Sequence, residues 1–199
     1  MEMTITLKTI SDSHQYPQLV EWYYSTDPIS HELGYGRFAN KIITAHLAKS
    51  SPLIKKRFLH GIYINQKLIG FLIIYPATES FLIEQKSSDY LKKHMNRLSY
   101  LRKLRFYQKV ARILTVEIAE DNYYIHSLVI DTAFQGQGIG TAIIKKLADR
   151  YQNLSLYVNE KNDQAVKFYL KNGFKIVHHG QIRYQGDFYG EYLMQKETI

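Results

Sequence analysis

Leu128-Val129-Ile130-Asp131-Thr132-Ala133-Phe134-Gln135-Gly136-Gln137-Gly138-Ile139-Gly140-Thr141 decides the fold. An apolar run with the character of a buried strand enters a turn holding three glycines at alternate positions. A helix with Ile143, Ile144, Leu147 and Ala148 on one side leaves that turn directly. Glycine lets backbone N–H groups converge without a Cβ in the way, and a helix N-terminus adds partial positive charge. The turn therefore suits a phosphate or pyrophosphate. Two phosphate loops are excluded by the letters. A Walker A loop ends in Gly-Lys-Ser/Thr, a tripeptide this sequence lacks. A GxGxxG fingerprint counted from Gly136 needs glycine where Thr141 stands, and the next strand ends in Val158-Asn159 rather than in an acid for a ribose hydroxyl.

Outward from the turn, the pattern alternates between strand and helix. Residues 3–10 alternate apolar and polar side chains as a half-buried strand, and Ser11-Asp12-Ser13 offers cap oxygens to a helix over 14–25, with Pro17 in its first turn. A second helix is predicted over 37–49, then a hairpin from 60–64 and 68–75 about a turn at 65–67. Leu91, Met95, Leu98, Leu101 and Leu104 recur at helical steps and predict one long helix over 84–114. Strand 123–130, helix 139–151, strand 154–158, helix 162–171 and strands 174–178 and 188–194 follow. Such alternation predicts an α/β or α+β fold with a mixed sheet. With 199 residues and no Pro/Gly/Ser linker, the chain reads as a single domain over 1–199 with an insertion at about 77–121.

Gln135-Gly136-Gln137-Gly138-Ile139-Gly140 resembles the Q/R-x-x-G-x-G/A motif of the GNAT superfamily of acetyl-CoA-dependent N-acetyltransferases. A second stretch, Asn162 to Phe174 (NDQAVKFYLKNGF), is similar to that family's N-x-x-A-x-x-F-Y-x-x-x-G-F pattern, in the same order. The clear resemblance covers about 122–178. It implies a splayed central sheet flanked by helices, and an acyltransferase that uses acetyl-CoA as co-substrate; the letters, with no leader-like pattern in MEMTITLKTI, set the cytoplasmic expectation. The family joins its third and fourth strands by a short turn. Here the long insertion lies between them, so acceptor specificity does not carry over.

The resemblance further implies roles for single residues. Backbone groups of Leu128, Val129 and Ile130 would pair with the thioester and pantetheine, and the N–H groups of Gly136, Gln137, Gly138, Ile139, Gly140 and Thr141 would hold the pyrophosphate. Gln135 would close the turn. Asn162 would contact the pantetheine arm, a role compatible with capping the helix it precedes. Tyr169 fills the position of the usual general acid and would protonate the departing thiolate. His126 is the expected base, since an imidazole titrates near neutrality and some members carry histidine at this point of the strand. Strict alternation would set Tyr124, His126 and Leu128 on one face, toward the acceptor. Glu117 and Glu120 are weaker base candidates, and water relayed from backbone groups is the other route. Tyr23, Tyr24, Tyr35 and Tyr192 are candidates for an aromatic acceptor cleft.

The chain has no cysteine, which removes disulfides, thiolate metal sites and an acyl-cysteine intermediate, and favours direct transfer in a ternary complex with no metal. No apolar run reaches the length of a spanning helix. The net charge is +8, but nine basic residues and one acid fall between Lys86 and Arg112, leaving 17 of each sign elsewhere. The charge belongs to the insertion. That helix offers a surface to nucleic acid through 86–112, to anionic lipid or to a second subunit of a homodimer, while its apolar stripe suits docking on the domain. The alternative to an enzyme is a nucleic-acid- or ribosome-associated module that keeps the fold. No acidic cluster that would bind a polycation is visible in the letters.

Overall fold

The computed structural model describes residues 4–10, 13–47, 56–114, 116 and 118–197. One sheet runs in the order β1 (Ile5–Thr9), β2 (Leu59–Ile64), β3 (Lys67–Pro76), β4 (Asn122–Ile130), β5 (Asn153–Asn159), β7 (Asp187–Glu197) and β6 (Lys175–Tyr184). Neighbours pair antiparallel except β4 and β5, which run parallel. One face carries α1 (Tyr16–Thr26), α2 (Pro28–Tyr35), α3 (Ala39–Leu47), α4 (Ala77–His94) and α5 (Arg97–Ile113), whose apolar sides pack with Phe71, Ile73, Tyr75 and Val129. The other face carries α6 (Ile139–Arg150) and α7 (Asp163–Lys171) over Leu72, Ile74, Ile125, Leu156 and Met194. A mixed, helix-flanked sheet is the fold class expected from the alternation.

The sheet splits at its centre. β4 and β5 pair only at Asn122↔Asn153, Tyr123↔Leu154 and Tyr124↔Ser155. Beyond Tyr124 the strands diverge. On its other side β4 continues along β3, but the register slips between Ile73↔Ser127 and Ile74↔Ile125, leaving His126 as the extra residue of a bulge. This overturns the alternation expected of Tyr124, His126 and Leu128. Tyr124 and His126 do share the α1 face, but the bulge returns Leu128 to the α6 face, with Val129 opposite it. The Asp131 N–H donates to the Ile69 carbonyl at 2.8 Å, which fixes the ladder's parity: backbone groups of 129 face β3, and those of 128 and 130 face the gap.

Three further differences from the sequence reading have local causes. The single helix expected over 84–114 is two helices, because Met95 and Asn96 are extended and the Asn96 side chain caps α5 by accepting the Ser99 N–H at 2.8 Å. α2 was not expected. Asp27 caps it by accepting the Ser30 N–H at 3.0 Å, and Pro28 occupies its first position. The last two strands run longer than expected because Gln185 and Gly186, both at positive φ, form a tight hairpin turn.

α5 bridges the α1–α2 corner and the far side of the sheet. Its Tyr107 hydroxyl donates to the Gly34 carbonyl at 2.6 Å and Lys103 Nζ donates to the Leu33 carbonyl. Further along, Phe106 lies 4.8 Å from the Tyr184 ring and Lys109 Nζ donates to the Arg183 carbonyl at 2.7 Å. A Cβ on Gly180 would lie 2.5 Å from that of Ile113, so glycine is what lets β6 meet the helix. Arg97, Arg102 and Arg105 face outward. Tyr100, Leu104, Phe106 and Tyr107 are docked, whereas Leu98 and Leu101 of the predicted stripe stand exposed beside most of the charge.

Candidate functional site

A cavity of 2580 Å³ opens where β4 and β5 part. Of the coenzyme-side and catalytic residues anticipated from the sequence, all but Gln137 line it. Gln137 lies beside it, its side-chain amide donating to the Ala133 carbonyl at 3.2 Å. Glu120 is at its rim, and Glu117 lies outside the described residues. Tyr23 and Tyr35 line the cavity, whereas Tyr24 does not and Tyr192 lies 4.6 Å from the tilted His179 ring on the opposite face of the sheet.

The three glycines of the turn have two different reasons. Gly136 and Gly138 adopt φ of 75° and 76°, and a Cβ on either would meet nothing within 4 Å. Their conformation demands glycine and the space above them is open, which fits an anion held by the N–H groups at the start of α6. Gly140 is a packing glycine. Its Cβ would come within 2.9 Å of the Phe168 ring, so its absence draws α6 and α7 together. Gln135 closes the turn by donating from Nε2 to the Ile130 carbonyl at 2.8 Å, and Asn162 caps α7 by accepting the Ala165 N–H at 3.1 Å. The gap-facing groups of 128 and 130, the turn and Asn162 make one polar track into the split. These residues fit an extended amide-bearing chain ending in a pyrophosphate.

Tyr169 stands at the inner end of that track, only 9% exposed and edge-on to Phe168 and Phe174. Burial raises its phenol well above the usual value, so it keeps its proton at neutral pH. Across the split, His126 is held at both ring nitrogens. Nε2 lies 2.9 Å from the Tyr23 hydroxyl and Nδ1 3.3 Å from the Tyr75 hydroxyl. Desolvation, with His31 nearby, pushes the imidazole down to about 4. Neighbouring His46, buried and 5.9 Å away between ring centroids, is pushed down to about 3. The aromatic pocket is neutral.

Among the ionisable side chains that line the cavity, Glu191 is one the sequence reading did not single out. Glu191 on β7 is raised to about 8 by burial and by Asp27 and Glu160. Asp27 lines the cavity with it, while Glu160, bonded to His179 on the opposite face, acts across β7. In a strand reading FYGEYLM, a glutamate looks like an ordinary outward position, and only an acid inside an otherwise apolar strand hinted otherwise. Among the described residues no group of three or more His, Asp or Glu is arranged to hold a metal. No described helix is long and apolar enough to cross a membrane.

Comparison with known proteins agrees with this architecture. Peptidyl-lysine N-acetyltransferase YjaB of Salmonella typhimurium is 37% identical over 59 residues, 30% of this chain and 41% of that protein. The chain thus spans about two fifths of the length of the curated relatives it matches. An N-acetyltransferase from Staphylococcus aureus Mu50 superimposes with a TM-score of 0.63 at 18% identity, covering 94% of this chain and 99% of that one. A GNAT family acetyltransferase from Elizabethkingia anophelis with acetyl-CoA bound superimposes with a TM-score of 0.52 at 16% identity, covering 98% and 97%. Residues 16–174, spanning the split strands, the glycine turn and the capped α7, match the family model for GNAT acetyltransferases, and the chain belongs to the acetyltransferase (GNAT) family.

Proposed function

We infer that the protein transfers an acetyl group from acetyl-CoA directly to a primary amine of a small molecule, peptide or protein, within a ternary complex and without a metal. The observation that carries this reading is the continuity of the cavity: the polar track, Tyr169 and the aromatic pocket open into one another. In the proposal, the gap-facing backbone of Leu128 and Ile130 orients the pantetheine arm, with Val129 anchoring the strand from the opposite face. The N–H groups of 136–141 hold the pyrophosphate, and Asn162 meets the arm from α7. Tyr169 donates its proton to sulfur as the C–S bond breaks and recovers one from the new amide nitrogen.

His126, the base expected from the sequence, takes a different part. An imidazole that stays neutral well below pH 6 is a weak acceptor for an ammonium proton, and both its nitrogens are engaged. We assign it to holding the Tyr23 and Tyr75 hydroxyls that shape the acceptor pocket. The test is release of coenzyme A from acetyl-CoA with a panel of amines, run beside Tyr169→Phe. Turnover by the wild type that falls in the variant supports the reading. Wild-type protein that binds acetyl-CoA but acetylates no amine overturns it, and salt-sensitive binding to RNA or DNA would then favour the binding-module alternative.

A further inference from the structure

Two carboxylates from separate elements, Asp27 and Glu191, line the acceptor side of the cavity, and Glu160 approaches Glu191 from the opposite face of β7. Asp27 is occupied: Oδ1 accepts the Ser30 N–H at 3.0 Å and Oδ2 accepts Asn159 Nδ2 at 3.1 Å. Glu160 is occupied as well, with Oε2 at 2.6 Å from His179 Nε2 and both oxygens 3.2 Å from Gln181 Nε2. Glu191 lines the cavity and, among the described residues, has neither a hydrogen bond nor an ion pair. Its direction follows from register. Glu191 opposes Asn159 on β5, which puts it on the same face as Tyr157 and toward Tyr124. The Tyr124 phenol feels both Glu191 and Tyr169, so these three groups span the cleft between the acidic corner and the general acid.

This inference rests on the acetyl-transfer reading above. We propose that Glu191 is the catalytic base of the reaction, taking the proton of the acceptor's ammonium, and that Glu191 and Asp27 together select acceptors that arrive as cations. Raised to about 8, Glu191 is far better matched to an aliphatic ammonium than is His126 at about 4. An ammonium seated beside it stabilises the ionised carboxylate. Around it stand Asp27 from the α1–α2 corner, Glu160 after β5, Tyr124 on β4, Tyr157 on β5 and, through Glu160, His179 on β6. The step balances. Glu191 takes one proton from R–NH3⁺, the freed amine forms the C–N bond at the thioester carbon, and the C–S bond breaks to thiolate. Tyr169 protonates the thiolate, the amide nitrogen returns a proton to Tyr169, and Glu191 releases its own to solvent.

The experiment measures kcat/KM from pH 6 to 10 for wild type, Glu191→Gln and Glu191→Asp, with a lysine amide and with an arylamine, which is already neutral at pH 7. Acetyl-CoA affinity by calorimetry and the melting temperature are followed in parallel. Glu191→Gln should bind acetyl-CoA within about twofold of wild type. With the lysine amide its kcat/KM should fall about 10²-fold at pH 8, the deficit closing toward pH 10 as the amine deprotonates by itself. Glu191→Asp should recover part of the loss, and the wild type should prefer the lysine amide to the arylamine. A deficit equal at every pH, equal losses in both variants, or preference for the arylamine overturns the assignment. Wild type that binds acetyl-CoA without acetylating either amine overturns the acetyl-transfer reading, and the Glu191 assignment falls with it.

Discussion

The two arms of the cavity are built from different materials. The coenzyme arm comes from two short contiguous stretches, 128–141 and 162–169, and presents mainly backbone N–H and C=O groups set by φ, by the β4–β5 split and by helix ends. The acceptor arm is assembled from α1, α2, α4, α5, β3, β4, β5 and β7, and presents side chains: two phenols on one imidazole, a glutamate with no partner among the described residues and the docked face of the insertion. A surface made of backbone survives wide sequence change because almost any side chain leaves it intact. One made of scattered side chains is rewritten by single substitutions. The co-substrate therefore belongs to the family, and the acceptor to the individual chain.

The largest expected effect tests the point where the arms meet. Tyr169→Phe should lower kcat by about 10²–10⁴-fold with acetyl-CoA affinity unchanged, read by steady-state kinetics and calorimetry. Weakened acetyl-CoA binding with kcat preserved would move Tyr169 into the coenzyme arm. Next, Gly138→Val forces a branched side chain into a left-handed conformation that costs roughly 1–2 kcal/mol even for an ordinary residue. About tenfold or more weaker acetyl-CoA binding should result, with kcat at saturation largely spared. An unchanged dissociation constant would mean the turn does not hold the coenzyme.

A third prediction uses the opposite electrostatics of the acceptor arm. His46 and His126 are depressed in the folded protein, so between their ordinary value of 6.5 and about 3 to 4 the unfolded chain binds more protons and stability is lost as pH falls. Glu191 is raised from 4.5 to about 8, so the folded chain holds the extra proton there and stability declines as pH rises through that window. The two trends oppose each other between pH 4.5 and 6.5. Melting curves of Glu191→Gln should climb more steeply over that interval and lose the decline above it. Parallel curves for wild type and variant would show that Glu191 titrates normally. The smallest effect is expected at the insertion's outer face. Replacing Arg97, Arg102 and Arg105 together by Gln should leave kcat/KM intact and change stability by only about 0.5 kcal/mol per site at most. A loss of turnover would make the charged face part of the acceptor arm.

What could be read in the letters follows the same division. Gln135 through Gly140 and Asn162 through Tyr169 are legible because each does its work through neighbours in sequence. The β2–β3 hairpin, α6 and α7 are legible for the same reason. His126 was found, but its bulge was not: YYIHSLVI alternates identically with or without an extra residue, and only the partner strand reveals the slip. The break in the insertion was hidden because Leu91, Met95 and Leu98 keep helical spacing across it, although Asn96 is a capping residue. Asp27-Pro28 marks the start of α2 by the same chemistry. The proximity of Glu191 to Asp27 is out of reach of the letters, since it depends on β7 inserting between β5 and β6.

The split at the middle of the sheet also bears on how the chain avoids pairing with copies of itself. Unpaired strand edges normally lie at the rim of a sheet, where another chain can add itself and seed aggregation. The edge at 128–130 is interior, walled by β5 and by the helices above and below. Another polypeptide cannot lay a full strand along it, whereas a narrow unbranched molecule can. The fold thus keeps a hydrogen-bonding edge open for a small partner and sheltered from copies of itself, leaving β1 and β6 as the only rims of this sheet among the described residues.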